Sequence, residues 1–266
     1  MSDMARLSEE FGKDHGLIHE AVVTGRKVGA KKAFWSGLAH DESFFKKVLR
    51  LAEEHGYVDL INGIFVPAEA QLEIVKQRNT ERNWGFTDQE FASLGESPVW
   101  PDGKLSAIVL VVELDTIQQT FEEAWRFAKE VLPDSWRWDK VLSDGEHLRL
   151  YPGIERKRGL SWRVIDLGVN QLKSSNQVCQ AIEDANLLPH SAVLWAASYF
   201  PKWVQAMDGK DIPYVNMPGY QLTVPGYQPW TDVPYLHWYR DNRQVDMNAR
   251  YADNIHAYWA VPVFRE

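Results

Sequence analysis

The sequence predicts an α+β protein in which a smaller, mainly helical N-terminal region precedes a larger mixed domain. Three observations carry that expectation. Phe44, Phe45, Val48, Leu49 and Leu51 recur at helical spacing, and Pro67 stands where a helix through about residue 79 would open. A continuous apolar run rich in Val and Ile covers residues 105–114, as in a strand buried on both faces. After Asp208-Gly209 the helical periodicity ends, and short apolar stretches alternate with turn residues. Gly95, Pro98, Pro101 and Gly103 make residues 93–104 the most linker-like stretch, so the expected regions are 1–97 and 98–266.

Within the second region, Phe121, Trp125, Ala128 and Val131 mark one face of a helix over residues 116–131. Residues 148–151 and 160–167 read as short strands, the latter around Trp162, Val164 and Ile165. A helix over 191–207 must bend or break at Pro201, which lacks an amide donor. Pro218-Gly219-Tyr220-Gln221 recurs as Pro225-Gly226-Tyr227-Gln228, a pair of similar turns. Residues 259–264 read as an apolar terminal strand with Pro262 at an edge or bulge.

Composition excludes several functions. Of 266 residues 45% are hydrophobic and 25% charged, enough to bury a core. A net charge of -8 argues against nucleic acid as partner, and Arg156-Lys157-Arg158, beside Gly153 and Gly159, reads as a solvated turn. A single cysteine, Cys179, permits no intramolecular disulfide and reads as an inert buried thiol. Residues 1–13 are polar, with no apolar run suited to a signal peptide, and no stretch is long enough for membrane insertion. The expectation is a cytoplasmic or phage-associated protein.

Catalytic signatures are sparse. Gly-rich phosphate loops and the Gly-x-Ser-x-Gly elbow are absent. His15 and His19 stand at i and i+4, which lets a helix present two metal ligands, but the general-base Glu of the metalloprotease motif is not between them. They leave open an alternative, an enzyme of unrecognised type, with a metal-dependent hydrolase using His15, His19 and a carboxylate as one form of it. The leading expectation is a protein without cofactor, metal or enzymatic activity.

The tail points elsewhere. From Ile212 to Arg265 there is no Lys and no Glu, yet seven of the ten Tyr lie there. Loss of Lys and Glu with gain of Tyr, Trp, Arg and Asn marks binding surfaces, where Tyr and Trp give contact area at low entropic cost. The candidate contacts are His237, Tyr239, Asp241, Asn242, Asp246, Asn248, Arg250, Tyr251, Asp253, Asn254, Ile255, His256, Ala257 and Tyr258. Trp238, Val245, Met247 and Trp259 would anchor the strands beneath.

The run Leu236-His237-Trp238-Tyr239-Arg240-Asp241-Asn242-Arg243, continuing to Tyr258-Trp259-Ala260-Val261-Pro262-Val263-Phe264-Arg265, resembles the C-terminal variable region of diversity-generating retroelement variable proteins. In that family error-prone reverse transcription at template adenines replaces codons at the gene's 3′ end. The reachable residues include Asn, Asp, His, Tyr, Ser, Ala, Arg and Ile, but not Lys, Glu, Gln, Met or Trp. Within His237–Tyr258 only Trp238, Gln244 and Met247 fall outside that set. The resemblance implies a C-type-lectin-like domain of the formylglycine-generating-enzyme type, whose closing strand returns to the core. It implies a variable region of about 236–259 that binds a protein ligand. The calcium-ligand signature and cysteine pairs of sugar-binding lectins are absent, so calcium-dependent carbohydrate binding is not implied.

Overall fold

The computed structural model describes residues 31–40, 65–101, 105–132, 134–209, 212–239, 241–242 and 244–265. The chain divides into two compact units, Met1–Leu60 and Ile61–Glu266. In the first, helix α1 covers Lys32–His40. The helix expected after Asp41 and the pair His15 and His19 lie outside the described residues.

The second unit mixes helix and sheet. It opens with α2 (Ala68–Arg82) and α3 (Asp88–Ser93), then β1 (Ser106–Glu113), α4 (Ile117–Val131), β2 (Trp136–Arg137), β3 (Leu148–Leu150) and β4 (Gly159–Asp166). It continues with α5 (Ser175–Ala181), α6 (Ala192–Tyr199), α7 (Pro201–Gln205), β5 (Tyr214–Asn216) and β6 (Tyr220–Leu222). Last come β7 (Asp232–Tyr239), β8 (Gln244–Tyr251), β9 (Trp259–Ala260) and β10 (Val263–Phe264). Three helices begin alike. Thr87, Thr116 and Ser174 each accept the amide of the residue three places on, and the Glu or Gln there returns the bond.

Every residue of β1 is buried, as its unbroken apolar run requires. Along one edge it pairs antiparallel with β4, from Ser106 opposite Asp166 to Glu113 opposite Gly159. Its other edge meets side chains. Gln71 Nε2 donates to the Ile108 carbonyl at 2.9 Å, and Gln71 Oε1 accepts from the Leu110 amide at 2.9 Å. Tyr199 donates its hydroxyl to the Leu110 carbonyl at 2.9 Å, and Trp195 Nε1 donates to Val112 at 3.0 Å. A buried strand edge must have its amides and carbonyls satisfied, and here α2 and α6 do it. Helix α6 is buried on every side, hence its lack of polar residues apart from Ser198. The face of α4 bearing Phe121, Ala124, Trp125 and Ala128 completes this core.

Gln71 also corrects the expected division of the chain. Residues 93–104 do not separate two units: α2, on the early side of them, supplies Gln71 and the fully buried Val75 to the core around β1. The helix expected over 191–207 is two helices, with the break at Phe200 (φ -119°, ψ 59°) and Pro201 opening the second.

Strands β2, β8, β7, β5 and β9 lie side by side in that order in a seven-stranded sheet, to which β3 and β6 attach through Leu222 opposite Asp232. Strand β10 returns to the free edge of β4, with Val263 opposite Asp166 and Phe264 opposite Ile165. Arg265 Nε then donates to Asp166 Oδ2 at 2.9 Å.

Two local expectations change. The repeated Pro-Gly-Tyr-Gln turns are not alike: Pro218, Gly219 and Tyr220 are buried, whereas Pro225, Gly226 and Tyr227 are exposed and only Gly226 has a positive φ, +91°. Arg156-Lys157-Arg158 is not a solvated turn. Arg156 Nε donates to Glu113 Oε2 at 2.7 Å, and its guanidinium also takes up the carbonyls of Leu114, Asp115 and Thr116. Arg158 pairs with Glu90 at 2.8 Å and Asp115 at 3.0 Å, leaving Lys157 exposed.

Candidate functional site

Strands β7 and β8 pair over their full length, from Asp232 opposite Tyr251 to Tyr239 opposite Gln244. Side chains alternate along a strand, so this register sorts the hairpin into two faces. Leu236, Val245 and Met247 are fully buried, and Trp238 packs against them. The other face carries Tyr235, His237 and Tyr239 from β7 with Gln244, Asp246, Asn248 and Arg250 from β8.

Two neighbouring strands extend that face. Val215 of β5 lies opposite Leu236, and Tyr214 is the parallel partner of Trp259 on β9. The rings form a contiguous cluster. His237 stands 5.0 Å from Tyr214, 6.2 Å from Tyr235 and 5.8 Å from Tyr239, centroid to centroid. Trp259 stands 4.3 Å from Tyr235 and 5.1 Å from Tyr214, most pairs meeting edge-on or tilted as their quadrupoles favour. The Arg250 guanidinium lies 4.6 Å from the Trp259 ring centre, a cation held on an aromatic face.

Residues 252–258 carry the chain from the end of β8 to β9. The segment is anchored at both ends: the Ala252 amide donates to Thr231 at 2.8 Å, and the Tyr214 amide donates to Tyr258 at 2.9 Å. Asp253 accepts from Asn176 Nδ2 at 2.8 Å, and Arg250 donates to the Asn254 carbonyl at 3.1 Å. Between these anchors Ile255, His256, Ala257 and Tyr258 are exposed, the last leading directly into Trp259 of β9. Gly209 makes room beside this loop. Its φ of +75° favours glycine, and a Cβ there would sit 3.0 Å from that of Tyr258.

Burial sets the electrostatics. It makes His237 harder to protonate than a free imidazole, with Asp246 opposing, and it raises the Tyr235 phenol. It also lowers the Arg250 guanidinium from its ordinary value. Asn216 Oδ1, His237 Nδ1 and Arg250 Nη1 are buried atoms without a hydrogen-bond partner among the described residues. Cys179 is buried in α5, its thiol pushed up to about 12 by desolvation, as an unreactive cysteine would be.

The structure thus divides the sequence-derived candidates. His237, Tyr239, Asp246, Asn248 and Arg250 share the outer sheet face; Asp253, Asn254, Ile255, His256, Ala257 and Tyr258 form the crossing loop. Asp241 and Asn242 are exposed at the hairpin turn, while Tyr251 lies at its opposite end, with its phenol raised chiefly by a bond to Asp253. Tyr214 and Tyr235 were missed, and Trp259 belongs to the outward cluster and not to the anchors beneath. The alternation Tyr235-x-His237-x-Tyr239 is the signal for Tyr235; for Tyr214 only the tail's general Tyr enrichment points to it, since its place depends on β5 pairing with β7.

No protein-family model, curated protein or solved structure matches this chain.

Proposed function

We propose that the outer face of β5, β7, β8 and β9, with loop 252–258, is a recognition surface for a protein ligand. The chain itself acts as a binding protein without enzymatic activity. The observation that carries this reading is the cluster of Tyr214, Tyr235, His237, Tyr239 and Trp259 on one sheet face, with Arg250 stacked on it and polar side chains beside it. Such a face offers rigid aromatic contact area, and Asp246, Asn248 and Asn254 add adaptable hydrogen bonding. Because strands hold the contacts, little conformational freedom is lost on binding.

The same arrangement supports kinship with diversity-generating retroelement variable proteins and a C-type-lectin-like fold for the second unit. Residue types reachable by adenine mutation make up the hairpin's outer face and the loop apart from Gln244. Of the three residues outside the reachable set, Trp238 and Met247 pack beneath, while Gln244 stands on the outer face at the hairpin end. Diversity would then fall where the fold tolerates it.

Randomising positions 237, 239, 246, 248, 254 and 256 among Asn, Asp, Tyr, His and Ser tests this. Most variants are expected to keep one cooperative unfolding transition, and selection against a panel of purified proteins should yield binders. Widespread loss of folding would contradict the proposal.

A further inference from the structure

A second site lies away from that surface, on the three-stranded sheet. A cavity of about 390 Å³ opens there between β1, β4 and β10 on one side and the segments 154–158 and 186–192 on the other. Small-molecule sites begin at roughly 300 Å³. Val111, Leu160, Ala192 and Phe264 give it an apolar wall.

Its charge sets it apart in a chain of net charge -8: Arg156, Lys157, Arg158 and Arg163 line it against Glu113 and Glu155 alone. Two of the cations are spent on structure. Arg156 is held by Glu113 and the carbonyls after β1, and Arg158 by Glu90 and Asp115. Arg163 differs. It stands in the middle strand, opposite Val109, with its guanidinium 4.8 Å from the Phe264 ring centre. Among the described residues it has no carboxylate or hydrogen-bond partner, and Lys157 has none either. A guanidinium on an aromatic ring keeps its planar fork of donors available for a bidentate oxyanion. His190, which also lines the cavity, keeps its ring 3.4 Å from Glu113 and is made harder to protonate chiefly by burial.

We propose that this cavity binds a small organic anion, its phosphate or carboxylate head on Arg163 and Lys157 and its apolar body against Val111 and Phe264. Ser161, the residue two before Arg163 on β4 and so on the same face, adds a hydroxyl.

Calorimetric titration of the full chain with phenyl phosphate, benzoate and inorganic phosphate tests it. Saturable one-to-one binding is expected for phenyl phosphate or benzoate, the tighter of the two identifying the head group. Inorganic phosphate, lacking the apolar body, should bind more weakly. Arg163→Gln should weaken binding about ten-fold, and Arg163→Lys, which keeps charge but loses the fork, by less. Should Arg163→Gln fail to fold, Lys157→Gln, at an exposed position, must still weaken binding. Absence of saturable binding, equal affinity in these variants, or equal affinity for inorganic phosphate would each overturn the proposal. None of these outcomes bears on the β7–β8 surface.

Discussion

Tyr239 and His237 stand two residues apart on one strand, yet they do different work. Tyr239 is exposed at the end of the sheet, whereas His237 sits amid Tyr214, Tyr235 and Trp259 with one ring nitrogen buried. Tyr239→Ser combined with His256→Ser should therefore leave stability within about 1 kcal/mol of the parent, since exposed positions far from caps and cores tolerate change. Thermal unfolding followed by circular dichroism checks it, and loss of the transition would place those residues in the core. His237 and His190 predict a pH dependence. Both protonate less readily in the folded chain than the roughly 6.5 of a free imidazole, because burial disfavours the charged ring. Below that pH the unfolded chain binds more protons, so stability falls as the solution is acidified and is regained as pH rises. Melting temperature should drop between about pH 7 and about pH 5, and His190→Gln with His237→Gln should flatten the slope. An unchanged slope in that pair of substitutions would contradict the assignment.

At the scale of elements, β1 shows what the sequence can and cannot convey. Its apolar run, the α4 face, β4 and the break at Pro201 all carry local signals, and each is where those signals put it. Helices α3 and α5 were overlooked although Thr87-x-x-Glu90 and Ser174-x-x-Gln177 are capping boxes, because such short helices lack a full apolar period. Gln71 was not legible at all. A glutamine on a helix reads as solvated until a strand edge is brought against it, and its partners Ile108 and Leu110 lie in the distant β1. The basic run failed likewise, since Glu113, the partner of Arg156, is 43 residues away. Gln71→Leu should thus cost about 1–3 kcal/mol by leaving the buried Leu110 amide and Ile108 carbonyl unpaired. A chemical denaturation midpoint unchanged by that substitution would show that the edge is satisfied otherwise. At the binding face, Gly209→Ala should strain the backbone and press on Tyr258. The expected signature is a lowered melting temperature with altered fluorescence near Trp259.

At the scale of the whole molecule, the linker-like composition of residues 93–104 and the packing disagree, and the packing has physical precedence. A chain beginning at residue 98 loses Gln71, Val75 and Phe86 from the core of the second unit. It should fail to unfold cooperatively, whereas a chain beginning at Ile61 should do so. Cooperative unfolding of the shorter chain would restore the boundary at 97. The same unit presents the outward cluster of β5, β7, β8 and β9, and the central claim is that this face is a diversified binding surface. Its most direct test is to sequence the DNA flanking the gene, seeking a reverse-transcriptase gene and a near-copy of the codons for residues 234–265. The proposal predicts that copy to carry adenines at codons for outward positions such as 237, 239, 246, 248 and 254. The codons for the buried Val245 and Met247 should be unchanged. Absence of any copy, or substitutions concentrated at those buried codons, would contradict it.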